Sequence, residues 1–277
     1  MTTKILGGVA SAPMVHETNI EGIFSGRVRF EEAAPVFNHP LYLIGFTNRC
    51  GSNLLAGYLR STPAFDGFYE QLNHDTVGAR LPKLHAETFP DYLRAISQNH
   101  PGNGKMIGFK ASWDQLRMLL RWRIDRMYEG GIRMIHISRE NLIEQAVSWS
   151  IAFQTKQWTS QENALAAAVY DESDIDLRLS YIMQSNQNMG YLLALSGIPS
   201  LPVRYSDICR DPAAVVRSIG AFADVDLQTW EPGASEIRKQ GGDMNKEFVA
   251  RYIREKSHAI GFAPHQTTIL SSPMSVL

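Results

Sequence analysis

Apolar positions in this chain fall into short, nearly continuous runs, and the stretches between them carry helical spacing. Leu41–Phe46 (LYLIGF) is almost wholly apolar, the pattern of a strand buried on both faces of a parallel sheet. Met106–Lys110 (MIGFK), Ile132–Ile137 (IRMIHI) and Leu201–Tyr205 read the same way. Between them the spacing predicts helices over about Leu54–Arg60, Trp113–Tyr128, Asp174–Leu195 and Pro212–Phe222. Leu116, Leu119, Leu120 and Ile124 share one face of the second of these, and Gly130-Gly131 closes it. A further helix carries Leu142, Ile143, Ala146, Val147 and Phe153. Strands alternating with helices predict an α/β fold, a central parallel sheet flanked by helices with right-handed crossovers. Ligands of such sheets sit outside the carboxyl ends of the strands, so residues just after each strand carry the functional weight. Residues 1–40 form a poorly patterned N-terminal extension in which Ile23–Phe30 is expected as a short strand, and residues 41–277 form the main domain.

Composition narrows the function classes. The 277 residues are 44% hydrophobic, enough for a real core. A net charge of −1, from 27 basic and 28 acidic residues, gives no broad footprint for nucleic acid or a membrane surface, so neither is expected as a partner. An anionic ligand must then be held by a few local groups. Two cysteines, Cys50 and Cys209, make no disulfide framework, and a cytoplasmic setting is expected. The apolar run at the start is too short for a signal peptide, and no run approaches the roughly 20 residues of a membrane span.

The densest local signal is Thr47-Asn48-Arg49-Cys50-Gly51-Ser52-Asn53-Leu54-Leu55. A buried strand runs through a small-residue turn straight into a helix, which aims free backbone N–H groups and the positive end of the helix dipole at one point. Gly51 lets the backbone approach a ligand, Ser52 and Asn53 add side-chain donors, and Arg49 adds a planar fork for phosphate oxygens. The loop is not a Walker A motif: the spacing is absent and no lysine stands where one would meet a β- or γ-phosphate. An ordinary strand-to-helix turn with Ser52 or Asn53 as N-cap would give the same letters.

At this loop the sequence resembles the sulfotransferases, whose T-x-R-[SC]-G-[ST]-x-L-L segment forms the 5′-phosphosulfate loop. Arg139-Glu140-Asn141-Leu142-Ile143-Glu144-Gln145-Ala146-Val147-Ser148 resembles the family's R-x-[DN]-x-x-x-Q-A-x-S segment. Gln154-Thr155-Lys156-Gln157-Trp158, and Gly108, Lys110, Trp113 and Gln115 in a G-x-K-x-x-W-x-Q pattern, are similar to the bacterial trehalose sulfotransferases. The likeness spans about residues 41–256. It implies a P-loop-like sulfotransferase fold for residues 41–277 and 3′-phosphoadenosine 5′-phosphosulfate (PAPS) as donor, with no metal. The acceptor it implies is a small molecule with a hydroxyl group, carbohydrate-like or a glycolipid; the assembly it implies is a homodimer. It assigns the 5′-phosphosulfate to the loop Arg49–Asn53 (Arg49, Cys50, Gly51, Ser52 and Asn53) and the 3′-phosphate to Arg139 and Ser148. It also assigns Arg238 and Lys239, in RKQGGD, to a loop closing over the 3′-phosphate, and Glu70, in FYEQ, as general base. The chain departs from the family at Cys50 and Asn53, where Ser or Thr is common, and at Ile151, where an Arg often stands.

Sulfuryl transfer, like phosphoryl transfer, passes through a loose in-line transition state, so the protein mainly positions reactants and stabilises charge. Arg49 and the N–H groups after it meet charge on the leaving phosphate, and Glu70 accepts the hydroxyl proton if burial raises its pKa. Each residue also has a plainer reading. Glu70 is otherwise a solvated carboxylate, Arg139 a partner of a surface acid, Ser148 a filler of a helix groove, and Lys110 a structural cation. Arg139 and Ser148 meet one phosphate only if their helix starts near Ile143. Trp113 and Trp158 either stack on the ligand or pack in the core, His136 is expected in the core, and His74 is a reserve base. Cys50, in an electropositive turn, is a candidate low-pKa thiol. A kinase-like phosphoryl transferase and a non-catalytic nucleotide-binding module remain the alternatives.

Overall fold

The computed structural model describes residues 14–98, 105–158, 162–233 and 242–263. In chain order the elements are α1 (Val15–Ile23), β1 (Leu41–Gly45), α2 (Ser52–Arg60), β2 (Phe65–Tyr69), α3 (His74–Leu84), α4 (Phe89–Gln98), β3 (Met106–Ala111), α5 (Trp113–Arg121), a 3-10 turn (Ile124–Met127) and β4 (Ile132–Ser138). Then come α6 (Leu142–Thr155), α7 (Glu172–Ser196), β5 (Ser200–Arg204), α8 (Tyr205–Arg210), α9 (Pro212–Phe222) and α10 (Asp243–Ile260). The chain divides into two compact units: residues 1–140 with 184–235, and residues 141–183 with 236–277.

The first unit holds a five-stranded sheet in the order β2-β3-β1-β4-β5, every pair parallel. β1 is central and buried at all five positions, as its unbroken apolar run requires. Its neighbours β3 and β4 lie on opposite sides, so the carboxyl end of β1 is the point where the strand order reverses, the place where such sheets open a crevice. On one face Tyr42, Ile44, Ile135 and Ile137 meet Leu55 and Leu59 of α2 and Val216 and Ile219 of α9. On the other, Leu43, Phe109 and Met134 meet Ile20 and Phe24, Phe89 and Tyr92 of α4, and Leu116 and Leu119 of α5. The second unit has its own cluster, in which Ala146, Val147 and Trp149 of α6 pack with Ile175, Ile182, Val249 and Ile253.

Two expectations are corrected here. Ile23–Phe30 is no strand: α1 ends at Ile23, and the segment after it bonds to loops rather than to a sheet edge. Phe30 N–H donates to the Trp122 carbonyl and Phe89 N–H to that of Arg27. The apolar residues of the segment, Val28 and Phe30, turn into the core without pairing to a strand. The helix from Trp113 stops at Arg121, because Arg123 takes a left-handed conformation (φ +59°) and the chain tightens into the 3-10 turn.

Helix α1 is locked in place by a buried charge. Glu17, 2% exposed, accepts from Arg117 Nη2 at 2.9 Å and lies 3.2 Å from Arg121 Nε. Arg117 is itself only 6% exposed, so removing the carboxylate strands a buried guanidinium. Glu17→Ala should therefore destabilise the protein by about 3–5 kcal/mol in chemical denaturation. A loss under about 1 kcal/mol, the range of surface pairs, would mean that the ion pair is not closed in solution.

Candidate active site

The chain leaves β1 at the strand-order reversal and turns sharply. Cys50 N–H donates to the Thr47 carbonyl, and both Arg49 (φ +65°) and Gly51 (φ +97°) are left-handed. Gly51 is the N-cap of α2 with no side-chain capping bond, so neither Ser52 nor Asn53 plays that part; helix geometry begins at Ser52 itself. A side chain at position 51 is excluded twice over, by its φ and by the Tyr205 ring, which a Cβ would approach to 2.3 Å. The N–H groups that open α2 have no intrahelical acceptor and no side-chain cap, the arrangement that suits an anion, although that of Ser52 is bonded to the Cys50 sulfur.

Beside this turn stands Lys110, near the end of β3 and 5% exposed. Its ammonium donates to Asn53 Oδ1 at 2.5 Å and to Glu70 Oε1 at 2.7 Å, and lies 5.1 Å from the centroid of the Phe46 ring. One buried cation therefore joins the loop after β1 to the residue that follows β2. Register explains how Glu70 arrives there. β2 pairs Gly67 with Gly108 but Tyr69 with Phe109, so Phe68 is a bulged extra residue, held at φ +55°. Without the bulge Tyr69 would stand level with Lys110; with it, Glu70 does, and the carboxylate is turned to the lysine's face. Phe68 is fully buried with its ring over Gly108, where a Cβ would lie 2.1 Å from it.

The model of the Stf0 sulphotransferases matches residues 41–255. The chain belongs to the Stf0 sulphotransferase family. It is a sulfotransferase, and its sheet with flanking helices is the P-loop-like sulfotransferase fold. No curated protein matches the sequence. Among solved structures, the sulfotransferase domain from the curacin biosynthetic pathway aligns with TM-score 0.50 at 15% identity, covering 76% of this chain and 82% of that one. The sulfotransferase domain of the Synechococcus PCC 7002 olefin synthase gives 0.49 at 16% identity over 77% and 85%. A sulfotransferase from Mycobacterium avium gives 0.47 at 13% over 83% and 78%.

The sulfotransferase's other sequence-level candidates divide clearly. Arg139, one residue past β4, sends Nη1 to within 3.5 Å of the Arg49 carbonyl and lies over the Tyr205 ring at 5.0 Å. Tyr205 is therefore a residue that sequence reasoning missed: it packs on Gly51 and stacks under Arg139, tying β5 to the loop. Only its position just after a strand could have signalled it. Ser148 is buried within α6, which starts at Leu142 after Asn141 caps it through the Glu144 N–H, so the chain does loop before the helix. Arg238 and Lys239 lie outside the described residues.

Several environments differ from expectation. Cys50 is fully buried, and burial pushes its thiol pKa up despite nearby N–H donors and Lys110, so it is no activated thiol. Glu70, by contrast, is not buried: it is 46% exposed and paired with a cation. Trp113 is a core residue, while Trp158 is 37% exposed. His136, expected in the core, is only half-buried on β4, and burial pushes its imidazole pKa down. Gln115, which looked like part of a ligand motif, accepts from the Ser112 N–H in the capping box of α5.

Gly108→Ala tests the bulge. The added methyl must displace the Phe68 ring, overpacking worth about 1–3 kcal/mol. Both the unfolding free energy and the rate of sulfuryl transfer should fall, because Phe68 sets the turn to Glu70. Loss of stability with full transfer would disconnect the bulge from the site.

Proposed function

We propose that this sulfotransferase moves a sulfuryl group from PAPS to a hydroxyl of a small carbohydrate-like or glycolipid acceptor. The observation that carries this reading is the Lys110 bridge, which sets a half-exposed carboxylate, Glu70, beside a turn built to hold an anion. In the reaction the acceptor oxygen forms a bond to sulfur while the bond from sulfur to the 5′-phosphate oxygen breaks. The hydroxyl proton passes to Glu70, whose claim to the role rests on its place beside the turn and not on burial, and the products are a sulfate ester and adenosine 3′,5′-bisphosphate. Negative charge grows on the departing 5′-phosphate, where Arg49 and the N–H groups that follow Cys50 at the start of α2 stabilise it. Lys110 supplies a fixed positive charge between base and loop. Donor positioning away from the reacting atoms falls to Arg139, and Ser148, Arg238 and Lys239 keep the 3′-phosphate roles that the family resemblance gives them. Neither the homodimer nor the division into an extension and a domain at residue 41 enters the chemistry; both are proposals that sedimentation and limited proteolysis decide.

Calorimetry provides the first test. Adenosine 3′,5′-bisphosphate should bind more tightly than AMP by about 1.5–3 kcal/mol for each charged hydrogen bond made to the 3′-phosphate. Equal affinities, or tighter binding of ATP with magnesium, would overturn the donor assignment.

A labelled-donor assay over a sugar and glycolipid panel provides the second. Glu70→Gln should fold and bind the bisphosphate as the wild type does, with turnover reduced roughly 10²–10⁴-fold, the usual worth of a positioned base. Full activity in that variant would take the proton-accepting role away from Glu70. Bisphosphate binding with no wild-type turnover on any acceptor would instead mark a nucleotide-binding module.

A further inference from the structure

The turn that carries Glu70 is held from a second side, by a residue ahead of the span matched to the family. Asn73 N–H donates to the Glu70 carbonyl at 3.2 Å, and α3 begins at the next residue, His74. The Tyr92 hydroxyl donates to the Gln71 carbonyl at 3.0 Å. His16, on α1, completes the set: its Nδ1 lies 3.3 Å from the His74 backbone N–H and 2.8 Å from His74 Nδ1. A nitrogen that receives a backbone N–H must offer its lone pair. That fixes His16 as the Nε2–H tautomer and makes His74 Nδ1–H the second donor to it. α1 cannot drift from this contact, because the neighbouring residue Glu17 is fastened to Arg117 and Arg121.

We propose that His16 is a positioning residue for Glu70: in its neutral form it accepts both His74 donors and so fixes the turn whose first residue is the base. This rests on the assignment of Glu70 as the proton acceptor. Lys110 then determines where the carboxylate points, and His16 determines where its backbone stands. The role demands an unprotonated imidazole, since His16 with protons on both nitrogens has no lone pair to offer.

The surroundings favour that state. Burial pushes the His16 pKa below its ordinary 6.5; the Asp114 carboxylate of α5 opposes this, the His74 imidazole of α3 reinforces it, and Asp75 and Glu70 oppose it more weakly. A lowered value means that the contact is complete above the ordinary histidine range and is lost as pH falls through the lowered one. Turnover should then fall along an acid-side limb that belongs to His16.

Three measurements on the full-length protein test this. In nitrogen-correlation NMR at pH 7.5, His16 Nδ1 should be unprotonated and His74 Nδ1 protonated; a protonated His16 Nδ1 overturns the proposal. His16→Leu, which removes the acceptor, should lower kcat roughly 10- to 100-fold, the scale of a small misplacement, with bisphosphate affinity kept. His16→Asn, whose Oδ1 occupies the place of Nδ1 and does not titrate, should recover most of that loss and move the acid limb to lower pH. Equal losses in the two variants, full activity in His16→Leu, or an unmoved acid limb in His16→Asn would each overturn the role. A wild type that transfers sulfuryl to nothing in the panel counts against the proposed function alone, and the nitrogen shifts still decide the histidine pair.

Discussion

An ammonium with 5% of its surface open to water has to find oxygen, and Lys110 finds it on two segments that the chain order keeps apart. Stranding such a charge is among the more destructive changes a fold can suffer, so Asn53 and Glu70 must both keep an oxygen on the lysine. Much else near the site follows from that demand. β2 must place a carboxylate level with Lys110, which requires an extra residue before it, and the extra residue is a buried phenylalanine that fits only because its neighbour on β3 is glycine. The strained φ of Phe68 is tolerated because the surrounding core leaves the ring no other position.

The sheet was largely legible in the sequence because strands at its centre leave apolar runs, as β1 does without a break and β3 and β4 do in part; β5, an edge strand mostly open to solvent, was marked only by Leu201 and Val203. β2 escaped notice because Phe65–Tyr69 contains Asp66 and Gly67, a bulge and an edge position, none of which has a periodic signature. The helices between Leu72 and Gln98 were not anticipated, although α4 buries Phe89, Tyr92, Leu93 and Ile96 at helical spacing, a pattern the sequence does carry. At the site, the loop Arg49–Asn53 was visible from glycine, arginine and the abrupt change of period. Glu70 came from family resemblance and spacing, and no local pattern marks it. Lys110 was placed at a strand end but left without partners, since sequence cannot reveal which side chains a bulge turns toward it. Cys50 shows the converse error. The charges of its turn suggest an activated thiol, but they are outweighed by complete burial, which one-dimensional spacing does not report.

Tyr205 and His16 illustrate a second limit. Each acts on the backbone of the site rather than on a reacting atom: the tyrosine ring closes on Gly51, and the imidazole takes the N–H of His74. Such residues are chosen by shape and by lone-pair direction, and many residue types would look equally plausible at their positions. His16 is harder still to find, because it lies outside the span that family resemblance covers.

The placement of β1 bears on how the molecule comes to be folded. Both of its hydrogen-bonding partners, β3 and β4, are made later: β3 begins at Met106 and β4 ends at Ser138. During synthesis at about 5–20 residues per second, this strand, buried at all five positions in the folded protein, therefore waits several seconds with both edges unpaired. Parallel pairing across such separations is slow, and an unpaired apolar edge invites pairing with another chain. Nascent copies crowded on one message would meet at Leu41–Gly45 before any of them owned a sheet, so yield on overexpression should depend on how quickly the stretch to Ser138 is translated and on what shields the strand meanwhile.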